Sequence, residues 1–508
     1  EKNADVRPLR RVRDMADKIK AADPGIFDAM RKKIARSARN QRAPYACIDA
    51  VEAATRLGFD DGIKREREIS AEVVNAPEAK ALRYAFFAER QAAKVPGLAA
   101  DLTPIAIKSV AVIGGGTMGS GIAMSCADCG IPARLVEASR EALDKAMQRI
   151  ARTYEVSVQR GSLKQEAMNR RLKLITPATD YAEIADADIV IEAVFEDMAV
   201  KQEIFARLDA TMKPGAILAS NTSALDIDAI AAATKRPEWV IGTHFFSPAN
   251  VMKLLEIVRG KRTSPAVIAA TTAFAKRIGK IGVVCGNCDG FVANRSRAPF
   301  NAEMNILIEE GALPQQVDKV MVDFGYPMGP FGVADLAGGD IGYAGRKRRA
   351  AADPNYRKLP IADKLVEMGR LGQKTGAGWF KYEKGDRTPH PDPEVERVIA
   401  ETRRELGINA RSISDEEILR RILFSSVNEA CKILQEGIAA RASDVDVMWL
   451  YGFGFPRYRG GLMHWADQFG PKAICEQMLA WEKTHGPRWK PAKLLQDLAE
   501  AGKSFADV

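Results

Sequence analysis

A four-residue apolar run, Val110-Ala111-Val112-Ile113, leads straight into Gly114-Gly115-Gly116-Thr117-Met118-Gly119, and no other segment constrains the fold as much. The pattern predicts a strand, a glycine loop and a helix from about Met118 to Cys129, capped by Gly130. A second strand, Arg134-Leu135-Val136, then ends at Glu137. Gly114 permits a tight turn, Gly116 lets the backbone approach a pyrophosphate, and Gly119 lets the helix pack closely on the strand. The helix N-terminus offers unpaired N–H groups and a partial positive charge to phosphates. An acid at the end of the second strand is expected to accept ribose hydroxyls, so Glu137 favours NAD and disfavours the extra phosphate of NADP. Arg134 and Arg140 flank it.

Around this unit the chain alternates. Apolar runs recur at Ile189–Val194, Ala216–Ala219, Val240–His244, Leu254–Val258 and Ile281–Val284. Helical stretches at Glu141–Gln159 and Val200–Met212 lie between the early runs. That order predicts an α/β domain with a largely parallel sheet. Before Lys108 the pattern is helical, at Asp14–Ala21, Ile26–Ala38, Glu66–Asn75 and Ala79–Ala93, followed by a Pro/Gly linker. After Phe291 it is helical again, divided by the polar, proline-rich stretch Gly385–Pro393. The expected domains are 1–107, 108–289, 290–386 and 387–508, in all 508 residues.

The last two domains resemble each other. Arg295, Glu303, Glu310-Gly311 and Asp318 recur as Arg421, Glu429, Glu436-Gly437 and Asp444, and Gly325-Tyr326-Pro327 recurs as Gly454-Phe455-Pro456. One helical module is therefore duplicated.

Composition narrows the function. With 46% apolar and 28% charged residues the chain is an ordinary globular protein, which excludes disorder, collagen and disulfide scaffolds. No apolar run is long enough to span a membrane. The net charge of +9 is spread along the chain without a nucleic-acid motif, so a phosphate-rich small ligand fits better than nucleic acid. The basic knot Arg346-Lys347-Arg348-Arg349 reads as a loop. Seven cysteines, an odd count, suggest a reducing compartment. The pairs Cys126/Cys129 and Cys285/Cys288 lie far apart and read as small buried residues, so no metal is expected.

Of the four histidines, His390 sits in the polar linker, His485 beside Gly486-Pro487 reads as loop, and His464 reads as structural. His244 ends an apolar strand, where ligands bind in α/β sheets. Glu256 is an acid inside the next apolar run and needs a buried partner. Across a turn at Ser247-Pro248, His244 is a candidate for that partner. A histidine oriented by a carboxylate suits removal of a hydroxyl proton during hydride transfer to NAD.

At these residues the chain resembles the 3-hydroxyacyl-CoA dehydrogenase part of the multifunctional β-oxidation enzymes, including the peroxisomal-type bifunctional enzyme and the α subunit of bacterial fatty acid oxidation complexes. The resemblance is carried by GGGTMGSGIA (114–123), EAVFEDMAVK (192–201), SNTSAL (220–225), THFFSPANVMKLLEIV (243–258), IGKIGVVCGNCDGFVANR (278–295), FGYPMGPFGVADLAG (324–338), GQKTGAGWF (372–380) and YGFGFPRYRGG (451–461). It implies a Rossmann-type NAD-binding domain followed by duplicated all-α dehydrogenase C-terminal domains, with an N-terminal helical segment. It implies oxidation of (S)-3-hydroxyacyl-CoA to 3-oxoacyl-CoA, with His244 as base and Glu256 as its partner. Ser223 would bond the substrate hydroxyl, Asn294 would lie near the thioester, and Tyr451 would contact substrate. Gly114, Gly116, Met118, Gly119, Glu137, Val194, Glu196, Lys201 and Ser223 match cofactor positions. Ser247 replaces the Asn of many members, which puts the cofactor contact there in doubt. Residues 1–107 resemble the tail of a crotonase-type hydratase domain and a linker helix, so a crotonase domain upstream in a parent chain is expected. Family members differ in oligomeric state, which stays open. Ala506-Asp507-Val508 is not a Ser-Lys-Leu-type signal, and a bacterial cytoplasm is the expected location. Two rival readings are a small hydroxy-acid dehydrogenase on the same fold and an NAD-binding scaffold without turnover.

Overall fold

The computed structural model describes residues 11, 13–15, 23, 25–99, 102–354 and 356–508. These form two compact units, one of the described residues up to Phe86 with Pro456–Gly460, the other of Phe87–Phe455 with Gly461–Val508. The first unit is helical: α1 (Gly25–Ile34), α2 (Ala43–Arg56), α3 (Phe59–Val74) and the start of α4 (Pro77–Ala92). Arg31 of α1 reaches Asp49 and Glu52 of α2 at 2.7 and 2.5 Å. The anticipated helix Asp14–Ala21 falls mostly outside the described residues. Helix α2 lies within the stretch expected to be helical, and none of its side chains is fully buried.

The second unit opens with β1 (Val110–Ile113), α5 (Thr117–Asp128), β2 (Ala133–Val136), α6 (Arg140–Gln159), α7 (Gln165–Lys173) and β3 (Ile175–Ala178). Then come β4 (Ile189–Glu192), α8 (Met198–Thr211), β5 (Ile217–Ser220), α9 (Ile227–Ala231), β6 (Val240–Phe245), β7 (Leu254–Arg259), α10 (Pro265–Arg277) and β8 (Ile281–Gly286). They build one eight-stranded sheet in the order β3-β2-β1-β4-β5-β6-β7-β8. Every pairing is parallel except β6 with β7. Strands β1, β4 and β5 are buried throughout, which is why they read as unbroken apolar runs. Strand β3 was missed in the sequence because it holds Pro177, which is tolerated at the sheet edge where β3 lies. The chain runs outward from β1 to β3 and returns to β4 on the other side of β1. That reversal opens a crevice beyond the C-terminal ends of β1 and β4.

The rest is helical: α11 (Ala293–Glu310), α12 (Pro314–Phe324), α13 (Pro330–Ala337), α14 (Gly339–Ala352), α15 (Pro360–Glu367), α16 (Pro393–Glu405), α17 (Asp415–Gln435), α18 (Ala442–Gly452), α19 (Leu462–Ala466), α20 (Pro471–His485) and α21 (Lys493–Ala501). The duplicated residues bond across the two copies. Arg295 of α11 pairs with Glu429 and Glu436 at 2.8 and 2.5 Å. Arg421 of α17 pairs with Glu303 and Glu310 at 2.5 and 2.6 Å.

Asp318 accepts the N–H groups of Phe331 and Gly332 at the start of α13. Its counterpart is Asp446, which accepts those of Met463 and His464 at the start of α19. The expected match, Asp444, pairs with Arg441 instead, because the offset between copies has grown by two residues at α18. Two further expectations are corrected. Arg346–Arg349 lie in α14 rather than a loop, because Arg346 folds back onto Asp363 and Lys347 onto the Tyr343 ring. His485 ends α20, with Gly486 as the helix-stopping residue.

Candidate active site

Strands β6 and β7 are antiparallel and set His244 directly opposite Glu256, on the same face of the sheet. His244 Nδ1 lies 2.6 Å from Glu256 Oε2, and both side chains are buried. Glu256 Oε1 accepts the N–H groups of Val292 and Ala293 at 3.2 and 2.9 Å, where α11 begins. The carboxylate is thus held by three donors and by the positive end of a helix. It fixes the imidazole through Nδ1 and leaves Nε2 as the ring nitrogen that can exchange a proton. Phe246 and Phe291 wall the imidazole, with ring centroids 4.5 and 5.9 Å away. Phe291 adopts a φ of +51°, a conformation uncommon outside glycine. Strain of this kind collects at functional sites.

A second cluster joins residues from four elements. Asn294, on α11, donates to the Ser223 carbonyl at 3.2 Å. Glu196 Oε1 accepts from the Thr222 hydroxyl at 2.7 Å and from the Ser223 N–H and hydroxyl at 2.8 and 3.0 Å. The Lys201 ammonium, fully buried on α8, lies 2.6 Å from Glu192 and 3.6 Å from Glu196. Glu192 also accepts from Val194 N–H at 2.8 Å and Ser220 Oγ at 2.6 Å. Burial works against ionising Glu196, but the hydrogen bonds from Thr222 and Ser223 and the Lys201 charge outweigh it and hold its carboxyl below the usual range. Asn221 ties this cluster to the histidine strand by accepting Phe245 N–H at 2.9 Å.

Sequence reasoning did not single out Glu192, Asn221 or Phe291. Glu192 carried the same signal as Glu256, an acid inside an apolar run. Asn221 and Phe291 carried none, since a backbone contact and a positive φ leave no periodic mark.

At the glycine loop, Gly114 has a φ of +97° and its missing Cβ would press on the Ala193 carbonyl. A Cβ on Gly119 would fall on the Gly114 carbonyl oxygen, whereas Gly116 faces open space. Helix α5 has no side-chain cap, so the N–H groups of its first turn, around Met118, are left for a ligand. Glu137, at the end of β2, accepts Gly115 N–H at 2.6 Å, and Arg149 donates to the Gly115 carbonyl at 2.6 Å. Both arginines flanking Glu137 are engaged: Arg134 by Asp186 and Arg140 by Asp144. The loop therefore fits a pyrophosphate, and its rim offers a carboxylate rather than a free cation to the ribose, as NAD requires.

Tyr451 lies at the end of α18. Its hydroxyl donates to Glu89 at 2.6 Å, while the next residue, Gly452, abuts the Phe246 ring. His390 is exposed, and burial holds the His464 ring below its usual pKa. All seven cysteines are free. Cys126 and Cys285 are buried as expected, but Cys129 is exposed because it lies just past the end of α5. Among the described residues no helix is long and apolar enough to cross a membrane.

A glycine loop at a sheet reversal, with a carboxylate-oriented histidine on another strand of the same sheet, defines an NAD-binding dehydrogenase. The family described as 3-hydroxyacyl-CoA dehydrogenase, NAD binding domain, matches residues 109–288, and the 3-hydroxyacyl-CoA dehydrogenase C-terminal domain matches 290–382 and 418–505. The chain belongs to the 3-hydroxyacyl-CoA dehydrogenase family, and it is an NAD-dependent oxidoreductase of that class. It is 42% identical to the peroxisomal bifunctional enzyme of Danio rerio over 94% of its own length and 68% of the relative's. The solved 3-hydroxybutyryl-CoA dehydrogenase of Escherichia coli is 29% identical, with a TM-score of 0.68 over 78% of this chain and 99% of that one. The dehydrogenase part of multifunctional enzyme 1 from C. elegans is also 29% identical, with a TM-score of 0.61 over 82% of this chain and 96% of that one.

These relatives overturn the expected bacterial cytoplasmic location. Relatives from fish, mammals and plants alike are named as peroxisomal. The expectation rested on three terminal residues, and a receptor-read address leaves no mark on a fold.

Proposed function

We propose that the chain oxidises (S)-3-hydroxyacyl-CoA thioesters of fatty acid β-oxidation to 3-oxoacyl-CoA, with His244 as the proton acceptor. Bound NAD supplies the hydride acceptor. His244 Nε2 takes the substrate hydroxyl proton, and the buried Glu256 carboxylate steadies the imidazolium that forms. Asn294 positions the thioester end and Ser223 the hydroxyl end of the substrate. Glu196 and Lys201, with Val194, order the loop that carries Ser223 beside the cofactor. Gly114, Gly116, Met118 and Gly119 receive the pyrophosphate, and Glu137 receives the ribose. Tyr451, one residue from the Phe246 contact, lines the acyl side. Limits at 108–289, 290–386 and 387–508 divide the catalytic chain in this reading. The crossed ion pairs of α11 and α17 support a duplicated pair of helical domains.

The observation that carries the proposal is the 2.6 Å His244–Glu256 pair with its carboxylate anchored on α11. The test follows NADH absorbance with acetoacetyl-CoA for the wild type and His244→Ala. The variant is expected to lose about 10²–10⁴-fold in rate while still binding NADH. Undiminished turnover in the variant would refute the role of His244.

A further inference from the structure

Lys280 lies between α10 and β8 and is buried. Its ammonium donates to the Ala249 carbonyl and, at 2.7 Å, to the Met252 carbonyl. Among the described residues no carboxylate forms an ion pair with it. Asp128, whose charge reaches it, pairs instead with Arg171 at 3.1 Å and accepts the Tyr154 hydroxyl at 2.8 Å. A buried cation held only by neutral carbonyls is unfavourable, and burial lowers the pKa of this one. The two carbonyls it holds show what the cation does.

Both belong to the turn 246–253, which joins the His244 strand β6 to the Glu256 strand β7. Phe246, at the start of this turn, stands against His244 with 4.5 Å between ring centroids. Inside the turn, the N–H groups of Val251 and Met252 both donate to the Pro248 carbonyl at 2.9 Å. The turn is seated on α5, the helix into which the glycine loop runs. The Ser125 hydroxyl of α5 donates to the same Ala249 carbonyl at 3.1 Å. One turn earlier on α5, a Cβ on Gly121 would stand 3.1 Å from the Ala249 Cβ and from the Ala249 and Asn250 nitrogens, so glycine there lets the turn lie close. The Ala249 carbonyl thus joins three elements: the glycine-loop helix, the turn after His244 and the start of β8.

Resting on the reading of the His244 site given above, we propose that Lys280 is a positioning residue for hydride transfer. Through the Ala249 and Met252 carbonyls it holds the turn after His244 against the cofactor helix α5, and so fixes the distance at which substrate meets nicotinamide. It acts through the turn and not on the reacting atoms. A misplacement of about 1 Å in such a geometry can lower the rate by about 10²-fold.

The test is a single turnover on the full chain, with enzyme in excess of NADH and saturating acetoacetyl-CoA. The rate constant of NADH loss reports hydride transfer, and its amplitude reports the competent fraction. Lys280→Met keeps the bulk of the side chain and removes its donors. It is expected to lower the rate constant by about 10- to 100-fold and to keep the amplitude. NADH deuterated at the transferred position should slow that phase further, which marks it as hydride transfer. Lys280→Arg, which can again donate to both carbonyls, should recover part of the rate. A merely structural lysine would lower the melting temperature and the amplitude and leave the rate constant unchanged, and that outcome overturns the proposal. So does a slowed phase without an isotope effect. If Lys280→Met does not fold, Gly121→Ala decides, because it presses on the turn from the α5 side: a slowed, isotope-sensitive phase supports the proposal and an unchanged one overturns it. A wild type without turnover, or one whose rate survives His244→Ala, would sink the reading of the His244 site. A His244-dependent wild type with an unaltered Lys280→Met rate constant would sink the role of Lys280 alone.

Discussion

Replacing Glu256 by Gln changes one atom and should remove most of the activity. The reason lies in how the two carboxylate oxygens are used. Oε1 accepts two backbone N–H groups, from Val292 and Ala293, while Oε2 faces His244 Nδ1 at 2.6 Å. A glutamine must keep its oxygen toward the two N–H donors, since its NH₂ group cannot bond to them. Its NH₂ then points at His244 Nδ1, which has to become an acceptor. The imidazole proton moves to Nε2, and the nitrogen that should take the substrate proton already carries one. The buried imidazolium also loses its counter-charge. In serine proteases the comparable exchange of an orienting acid for its amide costs about 10⁴ in kcat. A loss of about 10³–10⁴-fold is expected here, or about 4–5 kcal/mol of barrier. The assay is NADH oxidation with acetoacetyl-CoA, with NADH binding followed by fluorescence to show that the cofactor site is intact. Turnover within about tenfold of wild type, with unchanged NADH binding, would refute the tautomer argument.

Two further outcomes follow from the same geometry. Gly119→Ala places a Cβ on the Gly114 carbonyl, so NADH affinity should fall sharply and stability by about 1–3 kcal/mol, read by titration and thermal melting. The acid limb of stability should depend on Glu310. Burial works against its ionisation, the Arg421 hydrogen bonds overcome that, and its pKa falls to about 2 from 4.5. A depressed carboxyl stabilises the fold above its unfolded pKa, and that stability is lost as pH falls from about 4.5 toward 2. Glu310→Gln should therefore lower the melting temperature near neutral pH and flatten its decline over that acid range; an unchanged profile counts against the pairing.

Periodicity and residue chemistry made much of this protein legible before folding. The strands of the sheet centre are buried on both faces, so their apolar runs stand out in any window. The glycine loop is legible because only residues without a side chain allow its turn and its contacts. The His244–Glu256 pair was legible because a charge inside an apolar strand demands a partner, and a tight antiparallel return offers one. The duplication was visible in its arginines and glutamates. The tertiary structure alone decided which copy each arginine serves, and it chose the other copy in both cases. It decided that Asp446, not Asp444, does the work of Asp318. It also brought Phe453 of the second helical copy against Phe246, the ring beside His244. Local patterns record what a residue does within its own helix or strand. Contacts between segments far apart in the chain are set by how those elements pack, and one sequence holds no periodic trace of them.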